Sequence, residues 1–177
     1  MAALPAADRA PAIAGTDFAD IVRRYQSMVF SIARHFVGDP SSAEELAQDV
    51  FLQLHSALDD LESDEHIKFW LRKVTAHRCI DHRRRRRPPQ VSIEDAPEPS
   101  APGNAGDPLL ARRLRQYVAS LPEKPRLVMI LRYQEDMFPE DIAEVLSMPL
   151  ATVKSHLQRS LAMLREKVTR TMGEVTL

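Results

Sequence analysis

A stretch rich in proline, glycine, serine and acidic residues divides the chain between Pro88 and Pro108. Its sequence, PPQVSIEDAPEPSAPGNAGDP, shows no periodic spacing of apolar residues, so it offers no face to a hydrophobic core. Segments of this composition serve as flexible linkers. We therefore expect two modules, residues 17–87 and 108–170, joined by a linker at residues 88–107 and flanked by loose tails at residues 1–16 and 171–177.

Size and composition indicate a globular protein. The chain has 177 residues, of which 44% are hydrophobic, and this content can fill compact cores. Its longest apolar run, from Leu127 to Leu131, has five residues, whereas a membrane span needs ~18. The N-terminal residues lack the pattern of a secretion signal, and the single Cys79 cannot form an internal disulfide. We expect the protein to stay in the cytoplasm.

Three helices are predicted for the first module. Apolar residues recur at helical spacing from Phe18 to Phe36, and Gly38 with the two residues after it should end that helix. Ser41, followed three residues later by Glu44, has the pattern of a capping box and predicts the start of the second helix. The third helix is expected to begin near Glu65 and to run on to the arginines, with Trp70 in the core.

The second module ends in a helix-turn-helix pattern. Two helices are predicted before it, one opening on Asp107 and Pro108 with Leu114 on its apolar face, and one starting at Pro122. A short helix should then begin at Pro139, and Ser147 to Pro149 should form a turn in which serine replaces the usual glycine. A longer helix follows. The predicted fold class is all-α.

The last predicted helix has one apolar and one polar face. Val153, Leu157 and Leu161 recur on the side that should face the core. The opposite side carries amide, hydroxyl and basic groups, which can contact phosphates and base edges in a major groove. A solvated bundle helix is the alternative reading of this pattern. The candidate DNA-binding residues are Thr152, Lys154, Ser155, His156, Gln158 and Arg159.

Charge is distributed unevenly within the first module, although the net charge is only −1. Nine acidic residues and no Lys or Arg lie between Asp39 and Glu65, whereas nine basic residues and one acid lie between His66 and Gln90. The asymmetry predicts two different surfaces, of which the basic one suits a polyanion. The five consecutive arginines at 83–87 would repel one another unless an anion lies nearby.

Both modules together resemble a known family. LPEKPRLVMILRYQEDMFPEDIAEVLSMPLATVKSHLQRSLAMLRE is similar to region 4 of sigma-70 family sigma factors. YQSMVFSIARHFVGDPSSAEELAQDVFLQLH and FWLRKVTAHRCIDHRRRRR resemble their region 2. The order of the regions and the short linker are typical of the extracytoplasmic-function (ECF) class. The resemblance implies an alternative sigma factor that binds core RNA polymerase and recognises the −35 and −10 promoter elements.

The resemblance also implies roles for residues of the first module. Region 2 binds the clamp helices of the largest polymerase subunit, and the matching positions are Glu45, Leu46, Gln48, Asp49, Phe51 and Leu52. Its third helix opens the −10 element and holds the non-template strand, which requires basic groups along a backbone. The matching positions there are Arg72, Lys73, His77, Arg78, Arg83, Arg84, Arg85 and Arg86. Many relatives have Asn where this chain has His77.

For the second module the resemblance implies recognition of the −35 element and contact with the polymerase flap. Relatives often have GTVKSRL where this chain has ATVKSHL, so Ala151 and His156 are departures that could shift base preference. Many relatives are held inactive by an anti-sigma factor that covers both modules, and such a partner is expected here.

Other classes of protein were weighed against this interpretation. A helix-turn-helix regulator acting without polymerase would need a sensory or dimerising module, which the first module does not resemble. A nuclease would need a catalytic motif, and no HExxH, P-loop or carboxylate cluster supports one. His77 with Asp81, and Cys79 with His82, have helical metal-ligand spacing but point to different faces. We expect neither catalytic residues nor a metal or cofactor.

Overall fold

The computed structural model describes residues 17–85 and 108–172. Within them the chain forms α-helices and one short 3-10 helix, Leu58–Asp60, and no strand. The all-α prediction is therefore confirmed. The N-terminal tail, the linker with Asp107, Arg86 and residues 173–177 lie outside the described residues, whereas residues 171 and 172 of the predicted C-terminal tail are helical. The helices are α1 (Phe18–Val37), α2 (Pro40–Ala57), α3 (Asp64–Arg85), α4 (Pro108–Ala119), α5 (Glu123–Tyr133), α6 (Pro139–Val145) and α7 (Leu150–Met172).

Capping residues separate α1 from α2. Gly38 ends α1 with a φ of 83°, a left-handed conformation that glycine adopts without a steric penalty, and its N–H donates to the carbonyl of Arg34 at 3.0 Å. Asp39 caps α2, because its carboxylate accepts from the N–H of Ser42 at 2.8 Å. The predicted capping box at Ser41 is wrong. Pro40, which has no N–H to lose, occupies the first helical position, so Ser41 lies inside the helix.

The first module packs α1, α2 and α3 around a shared core. Val29, Leu54, Ile67 and Leu71 are fully buried in it, and Trp70 packs against it while partly exposed. Trp70, which was expected in the core, thus lies at its border. Each helix presents an apolar face inward, so the polar side chains of α2 and α3 lie outside the core of this module.

The second module is built around α5, in which Leu127 and Leu131 have no exposed surface. α6 and α7 cross after a tight turn in which Ser147 has a φ of 49°. This left-handed conformation explains why the position favours glycine. One expectation is wrong: Leu114 is exposed, because α4 packs on the core through Tyr117, Val118 and the following Leu121.

The two modules contact each other through an apolar interface. One hydrophobic cluster contains residues of α1, α2 and α3 together with residues of α5, α6 and α7. α1 packs against α4 and α5, and α3 packs against α6. The sequence alone does not predict this placement. The fully buried members of the cluster include Ile32, Phe36, Ala76, Cys79, Leu127, Leu131, Ile142, Val145 and Val153.

Candidate nucleic-acid and polymerase interfaces

The polar face of α7 is open to solvent. Val153 is fully buried and Ser160 is 3% exposed, so these residues hold the helix against the core. Lys154, Gln158 and Arg159 are exposed on the other side, and Thr152, Ser155 and His156 are half-buried beside them. Lys154 Nζ lies 3.8 Å from Glu140 Oε1, but both side chains are more than half exposed. Such an ion pair is weak and can be exchanged for a phosphate contact.

His156 differs electrostatically from its neighbours. Burial lowers the pKa of its imidazole below the ordinary 6.5, and the positive charges of Arg159 and Lys124 lower it further. The side chain is therefore neutral at pH 7. The positive charge of this face comes from Lys154 and Arg159, while His156 offers a neutral ring nitrogen as donor or acceptor.

The basic helix α3 has two polar faces with different surroundings. The first face carries Lys73, His77 and Arg84, which fall within about 40° of one another around the helix axis at ~100° per residue. His77 and Arg84 are exposed there, and Lys73 is half-buried. Arg72 and Arg83 are only about 20° apart on the second face, which turns toward the second module. Of the remaining candidates, Arg78 lies beside the amide of Gln53, Arg85 is exposed and Arg86 is not described.

Arg72 and Glu135 form the most enclosed ion pair between the modules. Arg72 donates from Nε and Nη2 to Glu135 Oε2 at 3.2 and 3.1 Å, and from Nη2 to the Glu135 carbonyl at 3.1 Å. The side chains are 16% and 9% exposed. Burial raises the pKa of the Glu135 carboxyl more strongly than the hydrogen bond from Arg72 lowers it. The pair thus carries a desolvation cost that its hydrogen bonds offset only in part.

An open groove of about 760 Å³ lies between α1 and α2. Its walls are mostly apolar, and Gln48, Phe51 and Leu52 of the predicted polymerase-binding set line it beside Phe18 and Phe30. Leu52 is 69% exposed and continues the apolar lining of the groove, and contiguous apolar surfaces of this kind mark contact sites. Glu45 and Asp49 are exposed on the same helix.

Leu46 is placed differently from the other members of that set. It is 4% exposed and belongs to the shared core cluster, so it has no surface to offer a partner. In that cluster it lies with Ile32, Ala33 and Phe36 of α1. The burial of Leu46 gives it a role in packing α2, so it is left out of the proposed contact surface.

Comparison with known proteins identifies both modules. The Sigma-70 region 2 family model matches residues 21–88, and the Sigma-70, region 4 model matches residues 111–164. The chain belongs to the sigma-70 family of RNA polymerase sigma factors. It is an ECF-class factor and directs transcription initiation, which excludes the alternative of a regulator working without polymerase.

Individual relatives are similar in sequence to this sigma factor along most of its length. The RNA polymerase sigma-E factor of Streptomyces coelicolor is 33% identical over 153 residues, covering 86% of this sigma factor and 86% of the relative. The ECF RNA polymerase sigma factor SigW of Bacillus subtilis is 25% identical over 165 residues, covering 85% and 88%. The sigma factor RpoE of Bartonella quintana, solved in complex with the anti-sigma factor NepR, has the same fold, with a TM-score of 0.72, 21% identity and coverage of 85% and 95%.

Two features of the sigma factor escaped sequence reasoning. The sequence pattern gives Glu135 and Glu123 no special role. In the structure they form ion pairs with Arg72 and Arg83 across the boundary between the modules. Arg126 sits among the apolar residues of α5 and is only 3% exposed. The sequence offers no local signal for this burial, because Arg126 directly precedes the apolar run of Leu127 to Leu131 just as Arg132 follows it.

The described part of the chain contains neither a cluster of metal ligands nor a membrane-spanning helix. Within residues 17–85 and 108–172, no cluster of three or more His, Cys, Asp or Glu side chains could hold a metal ion. Over the same ranges, no helix has the length and hydropathy to cross a bilayer.

Proposed function

We propose that this sigma factor binds core RNA polymerase through α2 and the groove between α1 and α2. The exposed Leu52 and the groove-lining Phe51 would pack against the clamp helices of the largest subunit. Aromatic and aliphatic anchors of this kind dominate the binding energy of interfaces. The exposed acids would meet basic residues and set the orientation. The proposed contact residues are Glu45, Gln48, Asp49, Phe51 and Leu52.

α3 would hold the melted non-template strand of the −10 element. The face with Lys73, His77 and Arg84 is the part of α3 most available in the structure. Guanidinium and ammonium groups along one helix suit a phosphate backbone, and an imidazole can stack on or bond an unstacked base. Arg72, Arg78, Arg83, Arg85 and Arg86 complete the proposed set.

α7 would read the −35 element in the duplex major groove. The observation that carries this function is the orientation of α7, whose apolar side is buried at Val153 and whose side with Lys154, Gln158 and Arg159 is exposed. Gln158 would read a base edge, and Arg159 would bind a phosphate. Contact of the second module with the polymerase flap would fix its distance from the first.

The remaining partners are proposed from the family. An anti-sigma factor would restrain this sigma factor, as NepR is found with RpoE of Bartonella quintana. The protein would act in the cytoplasm, where polymerase and promoter DNA are. No group on the proposed surfaces requires a cofactor, because binding and strand separation use contacts alone.

Transcription of genomic DNA with purified core polymerase, followed by mapping of start sites, tests the function. Addition of the sigma factor should produce a set of start sites that share −35 and −10 motifs. Core enzyme alone is the control for background initiation. The proposal fails if no sigma-dependent start site appears, or if the isolated chain gives a stable sequence-specific footprint without core polymerase.

A further inference from the structure

Two arginines assigned to the −10 strand are engaged by carboxylates of the second module. Arg72 donates three hydrogen bonds to Glu135, two to its carboxylate and one to its carbonyl. Three helical turns further along α3, Arg83 Nε lies 3.7 Å from Glu123 Oε1 in a looser ion pair, whose side chains are 44% and 28% exposed. Both acids flank the same helix, because Glu123 begins α5 and Glu135 follows its end.

The face of α3 between these arginines is covered as well. Ala76 and Cys79 lie on it with no exposed surface, and both belong to the cluster that contains Leu127 and Ile142 of the second module. Burial raises the pKa of the Cys79 thiol to about 12. A DNA strand therefore cannot reach this side of α3 while the modules are in contact.

A carboxylate and a phosphate bind a guanidinium through the same N–H donors. Each presents paired anionic oxygens to its planar donors, and one set of donors cannot serve both at once. We propose that the contact between the modules is an autoinhibitory latch, in which Glu135 and Glu123 occupy Arg72 and Arg83 in place of the −10 strand. This inference rests on the proposed function, since it takes the role of the two arginines from it.

The latch leaves the other two surfaces accessible. Lys154, Gln158 and Arg159 remain exposed on α7, and Leu52 remains exposed beside the groove of α2. Core polymerase and duplex DNA can thus bind the closed molecule before it opens. A partner shifts the equilibrium only if it binds the open state more tightly, and core polymerase does so if it holds the modules apart.

A charge-neutral variant tests the competition directly. Glu123→Gln/Glu135→Gln keeps the size of both side chains and removes no residue of the proposed DNA surface. The free variant should bind the labelled −10 single strand of a promoter mapped with the wild type about 3- to 30-fold more tightly than the wild type does. Equal affinity would overturn the latch.

A matched variant separates this effect from net charge. Glu144→Gln/Glu166→Gln removes two exposed carboxylates of the same module, of which Glu166 pairs with Arg170 of its own helix. It changes the net charge by the same amount, so it should bind the strand with nearly wild-type affinity. A gain equal to that of the latch variant would assign the effect to long-range charge and overturn the proposal.

A reversible cross-link tests whether opening is required. Ser31 Oγ donates to Gln134 Oε1 at 3.2 Å across the boundary, and neither residue belongs to a proposed interface. Ser31→Cys/Gln134→Cys, joined by a reducible bifunctional thiol reagent, should lose promoter-directed transcription and regain it on reduction. The native Cys79 is fully buried and should not react. Each single-cysteine variant, treated identically, is the control.

The outcomes distinguish the latch from the proposed function. If the wild type directs no initiation with core polymerase, the function fails. If the wild type initiates and the cross-linked double variant initiates equally well, the function stands and the latch is wrong. Loss of transcription that reduction reverses supports the latch, because a misfolded variant would not recover.

Discussion

Arg126 of α5 donates a hydrogen bond from Nη1 to the main-chain carbonyl of Phe36 at 2.8 Å, across the boundary between the modules. Its Nη2 donates to the carbonyl of Ala119, the last residue of α4, and to that of Leu121 in the turn that follows. One guanidinium thus binds the carbonyl ends of two helices, where the helix dipoles favour a positive charge. Burial lowers its pKa to about 10, so it remains charged at neutral pH.

Replacing Arg126 should destabilise the protein strongly. Arg126→Met keeps much of the apolar volume but leaves three carbonyls without their charged donor, and we expect the free energy of unfolding to fall by about 2–4 kcal/mol. Urea denaturation followed by circular dichroism measures this. Arg165→Met on the exposed face of α7 is the control and should change stability by less than about 0.5 kcal/mol. Equal effects of the two variants would contradict the structural role of Arg126.

Leu52 should contribute to polymerase binding without contributing to the fold. Because it is 69% exposed, Leu52→Glu should leave the unfolding temperature near that of the wild type while weakening core binding roughly tenfold or more. Leu114→Glu on α4 introduces the same change at another exposed leucine and should leave core binding intact. Titration of labelled core polymerase gives both affinities. Wild-type affinity of the Leu52→Glu variant for core polymerase would show that the groove is not part of the interface.

Gln158 and Arg159 should have separable effects on promoter choice. Gln158→Ala removes a proposed base contact, so it should relax preference at one or two −35 positions by ~1–3 kcal/mol. Arg159→Ala removes a proposed phosphate contact, so it should lower transcript yield without changing the preferred sequence. Transcription of a randomised −35 library by both variants checks this. If each selects the wild-type motif with wild-type strength, α7 does not read the promoter.

Stability should depend on pH through His156. Its pKa is lowered in the folded state, so between that pKa and 6.5 the unfolded chain binds more protons than the folded one. The free energy of unfolding should therefore fall as the pH drops below 6.5, and this group should have no effect above it. Urea titrations of wild type and His156→Gln across this range isolate the contribution. An identical slope in the two proteins would contradict the burial of the imidazole.

The helical elements could be predicted well because their signals are local. Apolar spacing at Val153 and Leu157, and breakers at Gly38 and Pro139, act within a few residues of the helix they define. The polar face of α7 follows from the same spacing. Errors arose where two local rules competed, as when Asp39 rather than Ser41 capped α2 because Pro40 took the first helical position.

The sequence by itself determined the family, the all-α class and which residue types face outward on α2, α3 and α7. Only the tertiary structure decided that Arg72 and Arg83 meet Glu135 and Glu123, and that Arg126 binds the carbonyl of Phe36. These partners are separated in sequence by tens of residues. Helical periodicity fixes the direction of a side chain relative to its own helix, whereas a contact between modules depends on how two apolar faces pack, which no local pattern encodes.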